Sequence, residues 1–187
     1  MSSRFDIVAT PLAGLRLVRR LPIRDERGWL ERLYCADEFA GLMSGAAIAQ
    51  INRTLTAKQG TVRGMHFQRP PHTEAKLVSC LKGAVFDVAV DVRQGSPTFL
   101  HWYGEHLSAE NHHSLLIPPG FAHGFQTLVA DCELLYLHTA RYAPEAEAVL
   151  NASDPRLAIA WPQPIGARSS RDATHALLNN DFQGVAL

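Results

Sequence analysis

An arginine and a histidine flank a glycine in Val62-Arg63-Gly64-Met65-His66-Phe67-Gln68. Histidine titrates near neutral pH and can take or give a proton. Arginine presents a planar fork of donors suited to phosphate oxygens. A second histidine stands in Pro118-Pro119-Gly120-Phe121-Ala122-His123-Gly124-Phe125. Two histidines on one β scaffold, one beside an arginine, predict a site for an anionic ligand and for proton transfer. The sequence holds nine histidines, so either one alone also reads as an unrelated residue. The spacing makes a geometric demand. Arg63 and His66 are three positions apart, and a regular strand would put them on opposite faces. Gly64 between them permits a bulge that turns both side chains inward.

The elements that must hold these residues read as β. Residues 5–19 read as short extended pieces, Asp25-Glu26-Arg27-Gly28 as a turn, and 29–34 as a strand. A short helix is expected over 36–43, closed by Ser44-Gly45, with 48–53 extended again. Residues 77–81, a Lys82-Gly83 turn and 84–92 read as a hairpin. Strands follow over 98–107, 114–117, 124–129 and 134–139, separated by turn residues such as Gln94-Gly95-Ser96-Pro97. Strands at this spacing predict an all-β sandwich or barrel. After Tyr142 the chain turns Ala- and Pro-rich, and short helical turns are expected. Along 85–91, Phe86, Val88 and Val90 share one face and read as core. Val85, Asp87, Ala89 and Asp91 share the other, which is either a solvated outer face or a barrel interior with a polar pocket at Asp87.

A chain of 187 residues suits one domain, 1–187, with a sizeable core. No apolar run approaches the ~18 residues that span a bilayer. Residues 1–20 lack a signal-peptide core, so a cytoplasmic protein without a membrane partner is expected. Cys35, Cys80 and Cys132 are odd in number and far apart, which argues against a disulfide framework or a zinc cluster. The 18 basic and 18 acidic residues balance, and no basic run points to nucleic acid. Lys58, Lys76 and Lys82 are the three lysines, so a lysine inside a strand, Lys76, stands out.

Gly60 to His66 resembles the first motif of the cupin superfamily, and Pro118-x-Gly120-x-x-His123 resembles its second. Metal-binding cupins use His-x-His, a glutamate and a later histidine. Here Gln68 stands where the second histidine would be, and Lys76 holds the glutamate's place before Gly83. A lysine brings positive charge where a divalent ion would sit and offers no lone pair while protonated. No metal or other cofactor is expected, although Glu74 and His72 lie near enough to support the opposite reading.

Over roughly residues 5–175 the chain resembles the dTDP-4-dehydrorhamnose 3,5-epimerase family, metal-free sugar-nucleotide epimerases of the cupin-like jelly-roll fold with a few short peripheral helices. The resemblance rests on Asp25-Glu26-Arg27-Gly28, Gln50-Ile51-Asn52, Gly60 through Gln68, Lys76-Leu77-Val78, Val85 through Arg93, Ser96-Pro97-Thr98-Phe99, Leu107 through Asn111 and Ile117 through Phe125. It implies chemistry at C3 and C5 of a 4-keto sugar, where C–H bonds beside the carbonyl lose a proton to give an enolate. It assigns His66 as base, Asp172 as its carboxylate partner, Lys76 to the C4 oxygen and Tyr136 as general acid. His123 and Asp87 would complete the polar network, and Arg63 and Arg27 would meet the diphosphate. Gln50, Asn52, Glu31, Gln68, Tyr142 and Arg171 are further substrate contacts by the same resemblance.

Each assignment has a plainer counterpart: Lys76 at the surface, Tyr136 in the core, Asp172 as a helix cap. The sequence also departs from the family pattern. Leu137 follows Tyr136 where a basic residue is usual, Arg141-Tyr142 stands for two tyrosines, Ala75 stands for a glycine, and 148–153 lacks the usual glycine and tryptophan. A 3-epimerase that inverts one centre, or a sugar-nucleotide-binding cupin without catalysis, therefore remain as alternatives. The family's dimers exchange N-terminal strands, which makes a homodimer the expected assembly and Arg27 the candidate for a crossing contact.

Overall fold

A computed structural model describes residues 3–187. Its thirteen strands and two short helices form a sandwich of antiparallel sheets. The six-stranded sheet has the order β1 (Phe5–Ala9), β2 (Arg16–Arg20), β10 (His113–Ile117), β7 (Lys76–Lys82), β12 (Cys132–His138), β5 (Gln50–Thr56). The five-stranded sheet runs β13 (Glu147–Val149), β6 (Val62–Gln68), β11 (Phe121–Thr127), β8 (Ala84–Asp91), β9 (Trp102–Ser108). A separate two-stranded hairpin, β3 (Ile23–Asp25) and β4 (Gly28–Leu30), stands apart from both. No helix among the described residues is long and apolar enough to cross a membrane.

Alternation explains how each sheet packs. Val78, Cys80, Leu115, Ile117 and Leu134 from one sheet meet Val85, Ala89, Leu107, Phe121 and Phe125 from the other. The opposite face of β8 also finds cover. Phe86, Val88 and Val90 pack under Leu150, Leu157, Trp161, Phe182 and Val185 of the C-terminal segment. Both faces of β8 are therefore buried, and the Asp87 face is the interior of the sandwich rather than a solvated surface. Asp91 is buried too, with its carboxylate accepting from Arg93, Ser96 and Thr98.

Several expectations need correction. Residues 77–81 and 84–92 are strands but not a hairpin: β7 pairs β10 and β12, β8 pairs β11 and β9, and the chain crosses between sheets at Gly83. Gly83 has φ +76°, and a Cβ there would lie 2.8 Å from Cys132 Sγ, so the crossing needs glycine. The strand expected over 29–34 stops at Leu30, because Glu31 turns into a buried ion pair with Arg20 at 2.8 Å. The helix expected over 36–43 is the single turn α1, Ala36–Phe39, followed by turns. Residues 98–100 are turn rather than strand, with Leu100 at φ +63°, and the strand begins only at Trp102. Beyond Tyr142 the sequence suggested helical turns, yet β13 adds an edge strand against β6 before α2 (Ser170–Thr174) forms.

Candidate active site

The bulge required at Gly64 is present. His66 pairs with His123 and Arg63 with Phe125, so three steps along β6 span two along β11. Gly64 has φ +130°, and a Cβ there would lie 2.8 Å from the His123 carbonyl oxygen and strike Gly124. The extra residue turns Arg63 and His66 into one cavity of about 240 Å³. Asn52, Lys76, His123, Tyr136 and Tyr142 line the same cavity.

His66 Nε2 lies 2.8 Å from Asp172 Oδ1. Asp172 is 3% exposed and arrives from α2, whose N-cap Ser169 accepts from the Asp172 backbone N–H at 3.1 Å. The helix-end position and the histidine contact are thus one arrangement: the cap uses the backbone and leaves the carboxylate free for His66. A neutral imidazole donates from one nitrogen and accepts at the other. With the Nε2 hydrogen given to Asp172, the Nδ1 lone pair is left free. Burial holds the imidazole below its ordinary pKa of 6.5, against the upward pull of Asp172 and Glu147, while Arg171 adds to the lowering.

Lys76 is 9% exposed. Its Nζ lies 3.2 Å from Glu74 Oε1 and donates to the His66 carbonyl at 3.4 Å. Tyr136 stands beside the His123 ring, with centroids 6.0 Å apart, and beside His138 at 6.1 Å. Burial pushes its phenol above the ordinary range. A second histidine–carboxylate pair lies deeper, His123 Nε2 to Asp87 Oδ1 at 2.7 Å, and Asp87 Oδ2 has no hydrogen-bond partner.

The mouth is polar. Arg171 grips Glu147 through both terminal nitrogens at 2.6 and 2.8 Å, and the Tyr142 hydroxyl donates to the same carboxylate at 2.8 Å. Gln68 lines the cavity, but its amide is spent on backbone: it donates to His72 and Arg141 and accepts from Ala143. It therefore anchors the turn that carries Tyr142. A neighbouring depression of about 600 Å³ is lined by Lys58, Arg63, Arg171 and Ser169 among others. Arg63 and His66 line both spaces.

Three expected contacts, Arg27, Glu31 and Gln50, lie outside the lining of both spaces, and Asp87 reaches the site only through His123. Arg27 sits on the exposed β3–β4 hairpin, paired with Asp25 at 2.5 Å. Glu31 is held by Arg20 and lies 2.7 Å from His112 Nδ1, outside the residues lining the cavity. The Gln68 amide is engaged with backbone, and Glu74 is held by Lys76 and His138.

A family model for dTDP-4-dehydrorhamnose 3,5-epimerase matches residues 9–180. The chain belongs to this family. A dTDP-4-dehydrorhamnose 3,5-epimerase from Sinorhizobium fredii is 43% identical over 152 residues, 81% of this chain and 78% of its own. The fold matches a Legionella pneumophila dTDP-6-deoxy-D-glucose-3,5-epimerase in complex with dTDP-4-keto-L-rhamnose, with a TM-score of 0.89, 37% identity and coverage of 98% and 99% of the two chains. It also matches a 3'-monoepimerase from Streptomyces bikiniensis in complex with dTDP-quinovose, at TM-score 0.84, 32% identity and coverage of 91% and 86%.

Within this epimerase fold, sequence reasoning passed over His138 and Glu147 and weighed Glu74 only as a metal ligand. His138 had a readable signal: two residues after Tyr136 on one strand, it must share the tyrosine's face. Glu147 had none, because its place depends on β13, which the Ala-rich sequence did not announce.

Proposed function

We propose that this protein epimerises C3 and C5 of dTDP-4-dehydro-6-deoxyglucose, giving dTDP-4-dehydrorhamnose, by metal-free proton transfer. The observation that carries the reading is the convergence of the His66–Asp172 pair, Lys76 and Tyr136 on one cavity. A C–H beside a ketone is far less acidic than an imidazolium, so a base alone does not suffice and the enolate oxygen needs a preorganised charge. His66 Nδ1 takes the proton, and Asp172 stabilises the imidazolium that forms. Lys76 meets the C4 oxygen as negative charge develops there. Tyr136, kept protonated by burial, returns a proton to the other face, which inverts the centre. Its phenolate then regains a proton from solvent, and His66 sheds its own. His123 and Asp87 hold the far wall. The basic depression formed by Lys58, Arg63 and Arg171 suits the diphosphate, with Asn52 and Tyr142 at the sugar end.

Residues 1–187 act as one domain, since the C-terminal segment supplies both the cover of the five-stranded sheet and Asp172. A cytoplasmic setting suits the three free cysteines. A homodimer would cover Trp29, Leu30, Ile51 and Leu55, all more than half exposed, of which Ile51 and Leu55 lie on the edge strand β5. It would also bring Arg27 of the hairpin toward a partner's cavity. Sedimentation as a monomer would remove that part of the reading.

The deciding experiment is incubation with dTDP-4-keto-6-deoxyglucose in deuterated water. Deuterium at both C3 and C5 of a dTDP-4-dehydrorhamnose product is expected. Label at C3 alone would assign a 3-epimerase instead, and binding without any label would leave a sugar-nucleotide-binding cupin.

A further inference from the structure

The ammonium of Lys76 carries three N–H donors. One faces Glu74 Oε1 at 3.2 Å, and another reaches the His66 carbonyl at 3.4 Å. Two fixed bonds on a tetrahedral nitrogen set the direction of the third, which is left for the cavity that Lys76 lines. Glu74 is itself held. Its Oε2 lies 2.8 Å from His138 Nδ1, so that nitrogen carries the hydrogen and His138 Nε2 becomes an acceptor. The Asn52 amide N–H faces that acceptor at 3.4 Å. Asn52 Oδ1 accepts from Gln50 at 3.2 Å, and Gln50 Oε1 accepts from the Tyr142 backbone N–H at 3.1 Å. Donors and acceptors match at every link from the turn at Tyr142 to the ammonium of Lys76.

We propose that Glu74 and His138 are positioning residues that aim the free N–H of Lys76 at the C4 oxygen of the bound sugar. The proposal rests on the epimerase reading above. Burial pushes the Glu74 carboxyl up, but the His138 hydrogen bond and the Lys76 charge outweigh it and hold the group below its ordinary value. A carboxylate therefore stands beside Lys76 at neutral pH. A donor fixed in advance where charge will develop needs no reorganisation during the reaction. His138 keeps one Glu74 oxygen occupied, so Lys76 pairs with the other alone and retains a hydrogen for the substrate.

With three lysines in the chain, lysine-selective carbon labelling gives a spectrum simple enough to follow Lys76 without substrate. We expect its side-chain signal to shift and narrow in Glu74→Gln and His138→Ala, as the ammonium gains freedom. His138→Asn should restore it, because asparagine Nδ2 occupies the place of imidazole Nδ1. With dTDP-4-keto-6-deoxyglucose, kcat should fall about 10- to 100-fold in Glu74→Gln and His138→Ala while KM stays within about threefold, since the donor matters most once charge sits on the oxygen. His138→Asn should recover most of the rate. An unchanged Lys76 signal in His138→Ala, or equal losses in His138→Ala and His138→Asn, would overturn the proposal in favour of simple packing. A wild-type protein that does not turn the sugar over would instead remove the epimerase reading, with the Lys76 signal still judging the positioning.

Discussion

Replacing Asp172 by asparagine tests the base directly. The Ser169 cap uses the backbone N–H of residue 172, so the helix end survives the change. What disappears is one negative charge 2.8 Å from His66 Nε2. A hydrogen bond to a charged group contributes about 1.5 to 3 kcal/mol. The attraction between an imidazolium and a carboxylate about 4 Å apart is roughly 4 kcal/mol at an effective dielectric near 20. Stabilisation of the protonated base by about 1.5 to 4 kcal/mol corresponds to a loss of about 10- to 1,000-fold in kcat. The pH profile gives an independent sign. Burial holds the His66 pKa below 6.5, and Asp172 pulls it upward. Losing that pull lowers the pKa further. The base is active when neutral, so the acid limb of kcat/KM must move to lower pH even as the plateau drops. Turnover can be followed by NMR in deuterated buffer from pH 4 to 9. Turnover within about threefold of wild type, or an acid limb displaced to higher pH, would refute the assignment of Asp172 to His66.

Gly64→Ala should lower both stability and turnover. The new Cβ meets the His123 carbonyl oxygen at 2.8 Å and φ is +130°, so a loss of about 2 to 4 kcal/mol is expected in urea unfolding; a melt matching wild type would show that the bulge tolerates a side chain. Asp91 bears on acid stability. Although burial opposes its ionisation, bonds from Arg93, Ser96 and Thr98 hold its pKa at about 2 against an ordinary 3.8. A depressed folded-state value stabilises the fold above the unfolded pKa, by roughly 2 kcal/mol, and that contribution is lost as pH falls from about 4 through 2. Asp91→Asn should therefore unfold more readily at pH 7 and lose less of its remaining stability between pH 4 and 2, as read by denaturant titration; an equal cost at both pH values would count against the ionised carboxylate.

The sandwich was legible because its strands are short, apolar and bounded by turn residues. The partnership of β7 and β8 was not, because a tight turn at Lys82-Gly83 looks the same whether the chain folds back beside itself or crosses to the facing sheet. Only the cover available on both faces of β8 decides between them, and that cover comes from residues beyond 150. The Gly64 bulge could be demanded from spacing alone, since Arg63 and His66 cannot otherwise face one cavity. His123 opposite His66 follows from strand register, which the sequence does not reveal. Glu31 illustrates the converse: the family resemblance offered it as a ligand contact, but Arg20 and His112 hold it within this chain.

The two histidine–carboxylate pairs differ in how far along the chain each must reach. His123 and Asp87 are 36 residues apart and sit on adjacent strands, so pairing of β8 with β11 brings them together. His66 and Asp172 are 106 residues apart, and their contact waits on α2 docking against β6. The His66 tautomer therefore depends on a segment distant in sequence, whereas the inner pair depends only on neighbouring strands. Catalysis, on this account, requires the docking of α2 as well as the β framework.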